Sequence, residues 1–193
     1  MSHRLFVAVQ PVPHAVEALQ QQLREPRRAL AEAPMRWNPV PQWHVTLLFT
    51  PTVGQHALPA LSEGLDRLAG GQQRFQLAVA GGGAFPTLER AHHLIALLDD
   101  PACALPALAA GCRSLADGLG LAHSDEPYQP HLTLARANRP SDLSAWEPVL
   151  QDLDGPRFGV AELALVRSTL DTRYHGRAAH TPVARLPLGD HRF

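Results

Sequence analysis

A histidine, a spacer, a threonine and a leucine occur twice in this chain, inside apolar runs whose histidines stand 87 residues apart. The first run is Trp43-His44-Val45-Thr46-Leu47-Leu48-Phe49. The second is Tyr128-Gln129-Pro130-His131-Leu132-Thr133-Leu134-Ala135-Arg136. Alternation at a period of two marks a strand with one buried face. His44 and Thr46 then share a face, with Val45 and Leu47 opposite. His131, Thr133 and Ala135 likewise oppose Leu132 and Leu134. The aliphatic faces are expected in the core, and the His/Thr faces must open onto water or a cleft. A single strand histidine needs only a structural role, and eleven histidines make chance pairs. Repetition of the whole unit, apolar flanks included, is what points to a duplicated half-site.

The remaining pattern alternates strands and helices. Leu5 to Val9 reads as a first strand, buried on both faces and closed by Pro11 and Pro13. His14 to Leu30 has helical spacing along Val16, Leu19 and Leu23, with Pro26 expected to kink it or end it early. A loop from Pro34 to Pro41 carries Arg36-Trp37. The first motif strand spans Gln42 to Phe49, and Pro51 and Gly54 are expected to break it. His56 to Leu68 reads as a second helix, ended by Gly70-Gly71. Phe75 to Val79 and His92 to Leu98 read as strands around Gly81-Gly82-Gly83-Ala84-Phe85-Pro86, where the glycines suggest a turn or bulge. No Gly-Lys-Ser/Thr follows them, so a phosphate loop is not indicated. Leu105 to Leu119 reads as a third helix, Asn138 to Asp142 as a turn, Leu143 to Leu150 as a short helix and Val160 to Val166 as a strand. A final strand is expected from Arg173-Tyr174.

The hairpin-like segment Phe75 to Leu98 favours antiparallel pairing over a parallel α/β sheet. Each motif follows a helix and a proline-bearing loop. An α+β fold of two lobes, one motif strand in each, accounts for both facts. A pseudo-twofold between the lobes would turn both polar faces into one cleft.

Composition narrows the chemistry. At 193 residues, residues 1–193 fit a single bilobal domain, and an apolar fraction of 45% suffices for a core. The formal net charge of -1 provides no global field for long nucleic acid. All 17 basic residues are arginine, which excludes lysine nucleophiles and leaves guanidinium forks suited to phosphate. Cys103 and Cys112, nine apart in an expected helix, give neither a disulfide framework nor a thiolate cluster. No segment has 18 uninterrupted apolar residues, and the N-terminal run is too short for a signal-peptide core. A cytoplasmic monomer without membrane contact is expected.

Two imidazoles facing one substrate can divide acid and base work near neutral pH, with threonine hydroxyls donating to a phosphoryl oxygen. Arg136 lies five residues past His131, which puts it on the opposite face of an ideal strand; its reach into the cleft does not follow from spacing. No His-Glu-x-x-His and no Gly-x-Ser-x-Gly occurs, so zinc and serine-hydrolase readings find no motif. A noncatalytic phosphate- or RNA-end-binding module would use the same polar cleft.

The ordered set of motifs resembles the two-histidine phosphoesterases, and within them the bacterial and archaeal RNA 2',3'-cyclic phosphodiesterases, historically called 2'-5' RNA ligases. The matching pieces are Arg4 to Val9, Arg36-Trp37, Trp43 to Leu47, Gly83 to Pro86, Pro130 to Arg136, Leu165 to Leu170, and Tyr174. The resemblance implies two antiparallel-sheet lobes with outer helices around a central cleft. It implies hydrolysis of RNA 2',3'-cyclic phosphate ends to 2'-phosphates, with no metal and no cofactor, and in some members reversible 2'-5' ligation. On this resemblance His44 is the acid that protonates the leaving 3'-oxygen and His131 the base that activates water. Thr46, Thr133 and Arg136 hold the phosphate. RNA termini or short oligonucleotides are the implied partners, and a small cyclic nucleotide is the alternative substrate. Trp37, Phe85 and Tyr128 are candidate stacking surfaces for bases, each equally suited to the core. The chain departs from the family at Phe49-Thr50-Pro51, where Phe-Leu-Gly is common, and lacks a tryptophan between His92 and Leu98.

Overall fold

The computed structural model describes residues 2–31, 35–171 and 177–189. Nine strands among these residues form one antiparallel sheet that folds into two halves. One half runs β7 (Phe158–Val160), β4 (Phe75–Phe85), β5 (Ala91–Asp99) and β6 (His131–Ser141). The other runs β3 (Val45–Gly54), β1 (Ser2–Val9), β8 (Glu162–Asp171) and β9 (Arg177–Pro187). The short β2 (Met35–Trp37) adds to β6. The halves meet where the two motif strands touch, at the single pair Val45–Leu132. A motif strand thus stands at the inner edge of each half, as the bilobal α+β reading expected. Arg173 and Tyr174 lie outside the described residues.

The sheet is amphipathic in the way its alternation dictates. Leu5, Val7 and Val9 of β1 pack with the buried stripes of α1 (Pro13–Ala29), α2 (Leu58–Gly70) and α3 (Ala104–Gly118) and with Leu150 of α4 (Glu147–Gln151) in the main core. Phe6 and Ala8 face the other way and make a smaller cluster with Ala164 and Val166, against which Phe49 packs. The helices therefore cover one face, and the opposite face floors the cleft. No helix among the described residues is long and apolar enough to cross a membrane.

Several expected boundaries move, each for a local reason. α1 continues through Pro26 to Ala29, and Leu30 N–H closes on the Pro26 carbonyl at 2.9 Å. The proline sits in the last turn and forfeits a single intrahelical bond. β3 crosses Pro51 and ends at Gly54, because Leu5 pairs with Thr50 and His3 with Val53. Pro51 and Thr52 together oppose Arg4, and in that bulge the missing proline N–H breaks no ladder bond. β4 runs through the three glycines, and the bulge lies between Val79 and Gly82. There Gly81 adopts φ +79, a left-handed conformation that glycine accepts, and its N–H reaches the Leu153 carbonyl at 2.6 Å. A Cβ on Gly82 would stand 2.8 Å from the Ile95 carbonyl oxygen. β6 runs to Ser141, over all but the last residue of the turn expected from Asn138 to Asp142. Cys103 precedes α3 instead of lying in it, and Asp100 caps that helix by accepting from Ala104 N–H (3.1 Å) and Leu105 N–H (2.8 Å).

Candidate active site

The two motifs take the same local form. His44 immediately precedes β3, after a 3-10 turn (Val40–Gln42) and the buried Trp43. His131 opens β6. His44 Nδ1 lies 2.6 Å from the Gln42 carbonyl, and His131 Nδ1 lies 2.7 Å from the Gln129 carbonyl. A carbonyl only accepts, so each Nδ1 carries the hydrogen and each Nε2 keeps its lone pair. The antiparallel continuation of the Val45–Leu132 pair sets Thr46 opposite His131 and His44 opposite Thr133. Thr133 is fixed further by Asn38, whose side-chain amide donates to its carbonyl at 2.9 Å.

Both motif strands also bulge at the same place. Thr46 pairs with Ala8 and Leu48 with Val7, which leaves Leu47 as the extra residue. Thr133 pairs with Ile95 and Ala135 with Leu94, which leaves Leu134 extra. Each bulge stands three residues past its histidine and reverses the alternation beyond it. Ala135, expected on the polar face, is therefore fully buried beside the buried Leu134, while Arg136 emerges on the same side as His131 and Thr133. Its counterpart in the first motif is Phe49. The reach of Arg136 that strand parity denied is a product of this single inserted residue.

A cleft of about 410 Å³ is lined by His44, Thr46, Phe49 and Arg136, with Arg4, Phe6, Arg36, Trp37, Asn38, Ser168 and His180. His131 and Thr133 are not part of that lining; the strand pairing sets them across the seam from Thr46 and His44. Phe6 stacks on His44 at 4.5 Å between ring centroids and 22° between planes, and Phe85 meets His131 edge-on at 4.9 Å. Trp37 lines the cleft, but its ring already packs on Trp146 (5.4 Å) and under the Arg27 guanidinium (4.2 Å). Tyr128 does not line the cleft. It packs against the core, and burial pushes its hydroxyl pKa up. The loop before β6 turns its ring inward to cover apolar surface.

Four further side chains join the site from distant elements. His93 on β5 accepts at Nε2 from Arg136 Nη1 (2.9 Å), which makes His93 a neutral Nδ1–H imidazole and aims the guanidinium. His180 on β9 meets His44 in a T-shaped contact at 5.4 Å. Arg4 lays its guanidinium 4.7 Å from the centre of the Phe49 ring. Phe6 completes the floor. A period-two reading of Arg4, Phe6 and Ala8 could have found the first-strand pair; nothing local marks His93 or His180. Among the described residues no three His, Cys, Asp or Glu side chains gather to hold a metal ion.

The electrostatics of the cleft disfavour protonated imidazole. Burial lowers His44 to about 4, partly offset by its bond to Gln42, with His180, Arg136 and His131 lowering it further. His93 is lowered to about 4 by burial and then by Arg136. His131 and His180 are lowered as well, burial first, with Arg136 adding to it in both. The cleft and its border therefore hold neutral imidazoles beside guanidinium groups.

Comparison with known sequences identifies the family. Residues 11–172 match the sequence pattern of the 2'-5' RNA ligase superfamily. The chain belongs to that superfamily. It is 35% identical over 158 residues to the RNA 2',3'-cyclic phosphodiesterase of Thermus thermophilus, covering 76% of this chain and 77% of that one. It is 26% identical over 135 residues to the enzyme of the same name from Aeropyrum pernix, covering 69% and 75%. Its fold superposes on the crystal structure of Escherichia coli LigT complexed with 3'-AMP, with a TM-score of 0.78 at 25% identity over 98% of this chain and 100% of the other. A solved Thermus thermophilus protein gives the same TM-score and identity, covering 97% of this chain and 100% of that one. The bilobal two-histidine phosphoesterase fold is therefore the fold of this superfamily member.

Proposed function

We propose that this chain is a hydrolase that opens RNA 2',3'-cyclic phosphate ends to 2'-phosphates by paired-histidine acid–base catalysis. The observation that carries the reading is the matched pinning of two imidazoles on adjoining strands: each is held through Nδ1 by the carbonyl two residues upstream, and His44 lines a cleft that also receives Arg136. In the reaction a water oxygen bonds to phosphorus, and the bond from phosphorus to O3' breaks. The proton leaving the water goes to His131 Nε2, and O3' takes a proton from His44 Nε2. Thr46 and Thr133 donate hydrogen bonds to the phosphoryl oxygens, and Arg136 offsets the charge that grows on them.

His44 must carry a proton to serve as the acid, although its surroundings depress its pKa to about 4. The substrate resolves this, since a phosphate anion beside the imidazole favours the charged form and opposes the guanidinium groups. With a 5'-hydroxyl in place of water, the same two proton transfers would make a 2'-5' linkage. Relatives named for RNA 2',3'-cyclic phosphates and a cleft rich in arginine support an RNA end as substrate.

The test is turnover of an oligonucleotide carrying a 2',3'-cyclic phosphate, with product analysis. Wild type should yield the 2'-phosphate. His44→Ala and His131→Ala should each lower kcat/KM by ~100-fold or more, the usual scale for a lost acid or base. Near-normal turnover in both variants would sink the mechanism and leave a binding module.

A further inference from the structure

The cleft holds more positive charge than a cyclic phosphate can answer. Arg4, Arg36 and Arg136 all line it; among the described residues no carboxylate does, and none of the three arginines forms an ion pair. A 2',3'-cyclic phosphate brings one negative charge. We propose that Arg4 and Arg36 form a second phosphate subsite, which takes the internucleotide phosphodiester on the 5' side of the reacting nucleotide. This rests on the proposed RNA-end activity and goes beyond it by making the preferred substrate an oligonucleotide end instead of a cyclic mononucleotide.

The placement of the two arginines argues for a built subsite. Arg36 and Arg136 are direct partners across the β2–β6 pair, so their side chains leave the same face from Cα atoms about 5 Å apart. Like charges facing each other on a sheet are unfavourable unless an anion lies between or beside them. One N–H of Arg136 is held by His93, whereas Arg36 beside it has no partner of its own among the described residues. The second arginine follows from the pseudo-twofold. Arg136 stands five residues past its histidine, and the matching position in the first motif is the neutral Phe49. Arg4, opposite the Pro51 bulge, lies over that phenyl ring and restores a guanidinium on this side of the cleft. Burial lowers the pKa of Arg136, and the fields of Arg36 and Arg4 lower it further, as expected of three cations sharing one space. Planar forks with free N–H groups suit phosphate oxygens.

The experiment compares three substrates ending in the same nucleoside 2',3'-cyclic phosphate: the mononucleotide, a dinucleotide, and that dinucleotide with a neutral methylphosphonate linkage. Wild type should prefer the dinucleotide by ~10-fold or more in kcat/KM, the scale of one charge-assisted hydrogen-bonding group. The neutral linkage should fall back to the mononucleotide rate. Arg4→Gln and Arg36→Gln should each shrink the dinucleotide advantage, the double variant should bring it near one, and added salt should erode it. Both side chains are exposed, so folding should survive, as thermal unfolding would check. Equal rates for all three substrates in wild type would overturn the subsite. So would a loss in Arg36→Gln that is the same for mononucleotide and dinucleotide, since it would assign Arg36 to the reacting phosphate. If no cyclic phosphate is turned over, the proposed activity fails separately. Calorimetric binding of a 2'-phosphorylated dinucleotide against its methylphosphonate analogue then decides the subsite: tighter binding of the charged linkage supports it, and equal binding overturns it.

Discussion

Lowering the pH from 7 to 5 should destabilise the folded protein by ~2 kcal/mol through His44 alone. The folded imidazole titrates at about 4, against an ordinary 6.5. Above pH 6.5 it is neutral in both the folded and unfolded chains and contributes nothing to the pH dependence. As the pH falls through 6.5 the unfolded chain takes up the proton, and the folded chain does not until about 4. Stability is therefore lost across that window and levels off below it. The whole gap is worth ~3 kcal/mol at about 1.4 kcal/mol per pKa unit, and roughly 2 kcal/mol of it falls between pH 7 and 5. That is a large share of the ~5–15 kcal/mol that holds a typical domain together. Urea unfolding of wild type and His44→Ala at both pH values isolates the contribution. Wild type should lose about 2 kcal/mol more than the variant, with unchanged denaturant slopes. The other depressed imidazoles, His93, His131 and His180, remain in both proteins and cancel to first order. Equal losses in the two proteins would refute the picture of a buried, neutral His44.

Three further outcomes follow from the same site. A substrate with an already acidic leaving oxygen should rescue His44→Ala substantially and His131→Ala much less; the reverse pattern in single-turnover rates would exchange the two roles. The pH profile of kcat/KM should be bell-shaped with its maximum on the acid side of 6.5, because the imidazoles of the free enzyme titrate low, while kcat should peak at higher pH once bound phosphate raises both. Cyclic-phosphate hydrolysis should survive exhaustive chelation, and activity lost to chelator and restored by one divalent ion would reject a mechanism carried by side chains alone.

The repeated His-x-Thr-Leu unit made much of this protein legible without its structure. Alternation requires one polar and one apolar face, so His44 with Thr46, and His131 with Thr133, had to face away from the core. The helical stripes through Leu19 and Leu23, Leu61 and Leu65, and Leu105 and Leu108 likewise had to bury. These are properties of short stretches of chain, and the periodicity of the backbone settles them locally. Parity beyond the motif is not local. Whether Leu134 inserts as an extra residue depends on β5 offering one residue fewer between Leu94 and Ile95, and only the paired strands decide that. The insertion buries Ala135 and delivers Arg136 to the cleft, against the alternation of its own strand. Pro51 was compatible with β3 for the same kind of reason, since it fell in a bulge opposite Arg4. His93 and His180 sit on strands with no motif of their own and reach the site because β5 and β9 lie where the sheet order places them. Tyr128, three residues before His131, turned inward because the core beside it offered apolar surface to cover. Spacing along a strand fixes which way a side chain points only while the ladder is regular; where the ladder slips, the neighbouring strand takes over that decision.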